Sequence, residues 1–264
     1  METGATPVSE TALEAALRRD RWIVGAGLVV VAALAWGYTV TIAARMDMPE
    51  MTSMAMPERA GWGPTEFLVA FVMWAVMMTA MMVPSVMPMV LLYTAVQRRR
   101  ASGPRYFTVA SFAAGYLAVW SGFSVAATLL QGIVHAAALA AEEMGPVVGP
   151  LAAAILIVAG AYQFTPLKRL CLAHCRSPLA FITVHWRDGV QGAFVMGARH
   201  GAYCLGCCWP LMLVLFVVGV MNLVWIAALA VFVLAEKLAP RGEWVSRIGG
   251  AVFFAWGIGM VLAG

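Results

Sequence analysis

The stretch FLVAFVMWAVMMTAMMVPSVMPMVLLY, residues 67–93, decides the fold of this chain. It contains no aspartate, glutamate, lysine or arginine over 27 consecutive residues. A helix that crosses the hydrocarbon core of a bilayer needs about 20 apolar residues, whereas the surface helices of soluble proteins keep one polar face. The stretch therefore predicts a transmembrane helix.

Six further apolar runs extend this prediction to the whole molecule. Together the seven runs cover residues 22–44, 67–93, 106–134, 147–164, 190–221, 224–238 and 248–262. Of the 264 residues, 62% are hydrophobic and 11% are charged, whereas soluble domains carry about 25% charged residues. We expect one all-α integral membrane domain, residues 1–264, folded as a polytopic transmembrane helix bundle of about seven spans. The last two runs are short enough to form a re-entrant hairpin instead.

The distribution of positive charge predicts the orientation. Fourteen of the seventeen Lys and Arg residues fall in segments that lie inside if the N-terminus is inside. Because cytoplasmic loops accumulate Lys and Arg, we expect an N-in, C-out protein of the bacterial inner membrane, embedded in the lipid bilayer. Residues 1–21 would form a cytoplasmic lead, 45–66 an outer loop and 165–190 a cytoplasmic loop. Near the inner end of the sixth run, Glu236 and Lys237 are expected to pair with each other.

The predicted outer loop is rich in methionine. Its methionines are Met46, Met48, Met51, Met54 and Met56. Thioether sulfur is a soft ligand that selects Cu(I) over hard cations. The loop is therefore a candidate for copper capture. The alternative is an amphipathic segment that lies on the bilayer surface.

A second group of methionines lies in the run 67–93. On a helix with about 100° per residue, Met73, Met77 and Met81 share one stripe. Twelve of the eighteen methionines lie between positions 46 and 89, so the loop and this run form one thioether-rich stretch. We interpret the stripe as a path for Cu(I) between weak ligands. The alternative is that these methionines only fill space in the core.

The cysteines form a third candidate site. All five are confined to a short part of the chain, at Cys171, Cys175, Cys204, Cys207 and Cys208. On a helix, four potential ligands at spacings of four, four and three share one face: Met196, His200, Cys204 and Cys207. Imidazole, thiolate and thioether form a soft ligand set suited to Cu(I) or Zn(II). Pro210 should also loosen the helical hydrogen bond to the carbonyl of residue 206.

Two other functions stay open from the residues alone. Cys204-x-x-Cys207 has the spacing of a dithiol couple, with Cys171 and Cys175 as a second couple, so a membrane thiol oxidoreductase is one alternative. A structural assembly factor without metal is the other. The sequence has no P-loop and no His-Glu-x-x-His motif, and it favours a role other than catalysis.

Several short motifs between residues 65 and 260 resemble those of a known family. They are AMMVP at 80–84, YQFTPLK at 162–168, CLAHC at 171–175, GARHGAYCLGCCW at 197–209 and GVMN at 219–222. They are similar to a bacterial family of predicted metal-binding integral membrane proteins, a domain of unknown function in which some members are labelled copper chaperones. The resemblance implies metal ligands at Cys171, Cys175, His200, Cys204, Cys207 and Cys208. The methionine loop lies outside the similar region.

The sequence thus predicts a membrane protein that binds Cu(I) and transports it or delivers it to a membrane cuproenzyme. A periplasmic metal carrier is a second expected partner, and zinc is the alternative metal. No nucleic-acid partner is expected. The outer methionines would collect the ion, the stripe would pass it on, and His200 with the cysteines would hold it more tightly.

Overall fold

The computed structural model describes residues 10–46, 63–100, 105–141 and 148–263, and within these ranges the fold is all-α. Nine helices occur in this part of the chain: α1 Glu10–Met46, α2 Pro64–Arg100, α3 Arg105–Ala141, α4 Val148–Tyr162, α5 Pro166–Arg176, α6 Pro178–His185, α7 Gly189–Val218, α8 Leu223–Leu238 and α9 Gly242–Ala263. The predicted fold class is confirmed for these residues.

The described helices support fewer spans than the seven predicted. Five segments are long and apolar enough to cross a membrane: Arg19–Arg45, Pro64–Arg100, Tyr106–Ala136, Gly189–Val218 and Gly242–Ala263. The helices α4 and α5 meet at 63° and would give a sixth crossing if they form one broken span. Helix α8 has 16 residues. Such a helix is about 24 Å long, less than the roughly 30 Å of a hydrocarbon core. The seven-span count and the N-in orientation stay predictions.

The segment 165–190, expected as a loop, is largely helical. The hydroxyl oxygen of Thr165 accepts a hydrogen bond from the backbone nitrogen of Lys168 at 3.3 Å and so caps the start of α5. Pro166 suits the first turn, where its missing N–H would have no helical partner. The cap turns the chain sharply after α4. It thereby lays α5, with two of the five cysteines, against the bundle.

Helix α7 contacts α3, α4, α5 and α8 and carries the other three cysteines. Its closest approach is to α3. A Cβ atom at Gly197 would overlap the backbone of Phe112 in α3. Gly115 of α3 lies against the backbone of Phe194 in the same way. Because glycine lets helix backbones approach one another, these positions fix which face of α7 is buried.

The methionine stripe of α2 faces the interior of the bundle. Met73 is 6% exposed, Met77 0% and Met81 1%. This burial rules out a stripe that faces lipid, and it is compatible with both a copper path and core packing. Of the loop methionines, Met48, Met51, Met54 and Met56 lie outside the described residues, and Met46 is the last residue of α1.

Candidate thiol centre

The potential ligands predicted on one face of α7 are all buried. Met196 is 1% exposed, His200 3%, Cys204 1% and Cys207 0%. The thioether sulfur of Met196 accepts a hydrogen bond from the backbone nitrogen of Arg187 at 3.2 Å, so it is already engaged. The imidazole and the thiols therefore form the inner part of this face.

Cys204 is held by side chains from two other helices. Its Sγ atom lies 2.9 Å from Nζ of Lys237 in α8 and 3.0 Å from the hydroxyl of Tyr116 in α3. Lys237 also donates to the hydroxyl of Ser85 in α2 at 2.9 Å. An ammonium group beside a sulfur stabilises negative charge on it. Cys204 is thus placed to act as a soft anionic ligand.

The cysteines of α5 join those of α7. The thiol of Cys175 lies close to the thiols of Cys204 and Cys207. Cys171 lies over Gly206, where an added Cβ would come within 2.8 Å of its Sγ. The cysteines of α5 and α7 therefore lie side by side in one group. We call this group the thiol cluster: Cys171, Cys175, Cys204, Cys207 and Cys208.

The thiols lie close together, but they do not converge on one point. The Sγ atoms of Cys207 and Cys208 donate to the carbonyl of Cys204 at 3.1 and 3.0 Å. Among the described residues, no three His, Cys, Asp or Glu side chains form a metal-ligand arrangement. Rotation of these two side chains away from the carbonyl would be needed to point their sulfurs at a shared ion.

His200 adds a nitrogen with no partner. Its Nδ1 atom is buried and makes no hydrogen bond within the described part of the chain. The ring lies between aromatic side chains, with centroid distances of 5.1 Å to Phe181 and 6.1 Å to Tyr116. Since buried polar atoms are almost always satisfied, a free nitrogen one turn from Cys204 fits a ligand position.

A comparison with known families bears on what this cluster does. The family model PpoB2, described as a copper chaperone, matches residues 71–260. The chain belongs to this copper chaperone family. No curated protein and no solved structure matches the chain.

Membership in the copper chaperone family confirms the resemblance found in the sequence motifs, and it supports a role in copper handling. The matched region contains the methionine stripe and the whole thiol cluster. It leaves out the loop methionines at positions 46–56. The copper chaperone family therefore strengthens the case for the cluster and adds nothing to the case for the loop.

Pro210 contributes to the site as expected. The residue at position 210 has no N–H to offer the carbonyl of Gly206, four residues earlier. The structure supplies another donor, because the hydroxyl of Tyr162 in α4 donates to this carbonyl at 2.6 Å. Tyr162 thus connects α4 to α7 beside the thiol cluster. The sequence predicted a loosened helical bond at this carbonyl and did not predict Tyr162 as its donor.

The expected pairing of Glu236 with Lys237 is wrong. Adjacent residues on a helix point about 100° apart and do not face each other. Glu236 instead accepts from Nζ of Lys168 at 2.6 Å and from the hydroxyl of Ser246 at 2.8 Å, while Lys237 turns to Cys204. One turn of α8 therefore binds α5 through Glu236 and the thiol cluster through Lys237.

Proposed function

We propose that the protein binds Cu(I) at the thiol cluster and His200, and passes it to a membrane cuproenzyme or a periplasmic metal carrier. The observation that carries this proposal is the grouping of cysteines from α5 and α7, three of them buried, beside the buried imidazole of His200, whose Nδ1 makes no hydrogen bond within the described residues. Thiolate and imidazole are soft donors, and soft donors suit Cu(I). Zinc shares this preference for sulfur and nitrogen, so the metal itself has to be measured.

The methionine stripe is proposed as the route to this cluster. Tyr116 connects the thiol cluster to α2 next to the stripe, since its hydroxyl contacts Sγ of Cys204 and donates to the backbone carbonyl of Met82, which follows Met81, at 3.4 Å. Neutral thioethers bind Cu(I) weakly, and a series of weak sites favours passage over trapping. The thiols, which gain charge when they bind metal, would form the tighter end of the route. The loop methionines would collect the ion.

The first test is the metal content of the protein purified under reducing conditions after growth with copper and zinc. We expect near-stoichiometric copper in the wild type and its loss in the Cys204→Ser/Cys207→Ser/Cys208→Ser variant. A matched pair of histidine variants adds specificity. His200→Gln should lower the copper content, whereas His174→Gln should not, because the proposed ligand set includes His200 and leaves out His174, whose ring stacks on Tyr203 with centroids 4.1 Å apart. Equal trace metal in all forms would contradict the proposal.

The second test addresses the route. Replacing Met73, Met77 and Met81 together with leucine removes three thioethers, and each swap nearly conserves volume, at a cost below about 1.5 kcal/mol. We expect slower copper movement into reconstituted vesicles with unchanged copper binding by the detergent-solubilised protein. Met212→Leu, at another fully buried methionine, is the control. An unchanged rate in the triple variant would leave these methionines as packing residues only.

A thiol oxidoreductase remains a second candidate, and the contact of Lys237 with Cys204 favours it. A stabilised thiolate is a nucleophile as well as a ligand. In that function, Cys204 and Cys207 would form a disulfide with each other, and their two electrons and two protons would reduce an acceptor disulfide to two thiols. Mass spectrometry after alkylation, at graded ratios of reduced to oxidised glutathione, separates the two functions. Cysteines that stay thiols at every ratio would exclude the redox function.

A further inference from the structure

A cavity lies beside α5, between the bend that joins α4 to α5 and the first turns of α9. Its volume is about 360 Å³. None of the cysteines lines it. Phe164 and Leu172 form its apolar walls, and the remaining lining residues are polar or charged. The cavity is therefore separate from the proposed copper site and requires its own explanation.

The wall of this cavity contains an amide with no partner. Gln163 is 2% exposed, and neither its side-chain nitrogen nor its side-chain oxygen makes a hydrogen bond within the described residues. A buried amide without hydrogen bonds costs about 1–3 kcal/mol. Because Gln163 lines the cavity, a ligand placed there could accept from its nitrogen and donate to its oxygen.

The charges around the cavity favour an anion. Lys168 also lines it, but its ammonium is paired with Glu236. The other charged lining residues are two cations, Arg169 and Arg247, and one carboxylate, Glu243, so their net charge is positive. Both arginines are exposed, so they can reach a ligand at the mouth. Planar guanidinium groups bind phosphate oxygens in pairs, which makes phosphate a better fit than a simple halide.

The surroundings of the mouth resemble a membrane interface. Trp244 is 59% exposed, and the guanidinium of Arg247 lies over its ring at 5.5 Å from the centroid. Phe164 is 49% exposed at the cavity rim. Tryptophan and arginine concentrate at the level of lipid headgroups, and basic pockets between helices bind anionic headgroups.

We propose that this cavity binds a phosphate group, held by Arg169 and Arg247 at the mouth and by the amide of Gln163 within. The phosphate group has two possible sources, the headgroup of an anionic phospholipid and a free phosphate ion. The apolar walls accommodate the first atoms of an acyl-glycerol chain. The proposal is independent of copper, and the experiment uses protein without added metal.

The experiment measures binding to delipidated full-length protein in detergent, with dioctanoyl-phosphatidylglycerol, dioctanoylglycerol and inorganic phosphate as probes. We expect saturable binding of the phosphatidylglycerol and none of the dioctanoylglycerol, which has the same chains without the phosphate. The Arg169→Gln/Arg247→Gln variant should bind the phosphatidylglycerol about tenfold more weakly. Arg99→Gln/Arg199→Gln, which changes two exposed arginines outside the cavity lining, should bind it like the wild type.

The outcomes separate the two sources and include a refutation. Binding of inorganic phosphate, lost in the cavity variant, would identify a site for the free anion. Binding of the phosphatidylglycerol alone would identify a lipid headgroup site. Equal binding of dioctanoylglycerol, or equal affinity of the cavity variant and the wild type, would overturn the proposal. Gln163→Leu serves as an independent variant inside the cavity, and it should weaken the same probe.

Discussion

Replacing Lys168 with methionine should destabilise the protein by about 3–5 kcal/mol, because the change leaves a buried carboxylate without its counterion. Lys168 and Glu236 are both 0% exposed, and their charged atoms lie 2.6 Å apart. At that distance and an effective dielectric constant of about 20, the Coulomb attraction is about 6 kcal/mol, part of which offsets the loss of hydration. Ser246 donates to the same carboxylate oxygen and cannot replace the ammonium charge.

The assay is reversible unfolding in mixed detergent micelles, followed by tryptophan fluorescence. The double variant Lys168→Met/Glu236→Leu should return to within about 2 kcal/mol of the wild type, since an apolar pair avoids burying a lone charge. Arg99→Met, at an exposed position, should change the free energy of unfolding by less than about 0.5 kcal/mol. The single variant Glu236→Leu completes the comparison. If the double variant lost as much unfolding free energy as Lys168→Met and Glu236→Leu combined, the two residues would not be coupled and the reasoning would fail.

Two further predictions concern the packing around α7. Tyr162→Phe should cost about 1 kcal/mol by leaving the carbonyl of Gly206 without its donor, and the cost should shrink in a Pro210→Ala background, where the helix regains an N–H. Double-mutant unfolding measurements check this, and equal costs in both backgrounds would contradict it. Gly197→Ala should cost about 1–3 kcal/mol because its Cβ meets the backbone of α3, whereas Gly37→Ala, with open space around it, should be neutral or stabilising.

The helices of this fold could be predicted from the sequence because their signal is local. A run without charged residues specifies a long apolar helix wherever it occurs, and 67–93 falls entirely within α2. The turn after Tyr162 was harder to predict. The apolar run continues to Phe164, but the capping Thr165 and the following Pro166 start a new helix in another direction. Helix α5 itself depends on burying a lysine whose partner lies 68 residues away, which no local pattern reveals.

The candidate site also has features that the sequence could predict and features that it could not. Helical periodicity placed His200 and Cys204 on one face of α7, because that relation exists within a single helix. The contacts of Tyr116 and Lys237 with Cys204 join different helices and leave no periodic signal. A weaker signal did exist for Lys237, since a charged residue in an apolar run is a functional candidate by default. Pairing it with its sequence neighbour overlooked the angle between adjacent side chains.

The position of α5 leads to a last prediction, that copper should offset the loss caused by Lys168→Met. This helix is attached to α8 by the Lys168–Glu236 pair and by Arg176, which donates to the carbonyl of Glu236 at 2.8 Å. It packs against α7, with the thiol of Cys175 close to those of Cys204 and Cys207. An ion bound between Cys175 and the α7 cysteines would add a bond across that second contact, and binding at 1,000 times the dissociation constant stabilises a folded state by about 4 kcal/mol.

The measurement is the unfolding free energy of Lys168→Met with and without Cu(I), beside the same variant carrying Cys175→Ser. Copper should restore most of the lost stability in the first protein and clearly less in the second, because only the first can bridge α5 to α7 through this thiol. Equal stabilisation of both would mean that Cu(I) is held by α7 alone. Helix α5 would then cover the copper site without contributing a ligand, and the position of Cys175 beside the cysteines of α7 would reflect packing only.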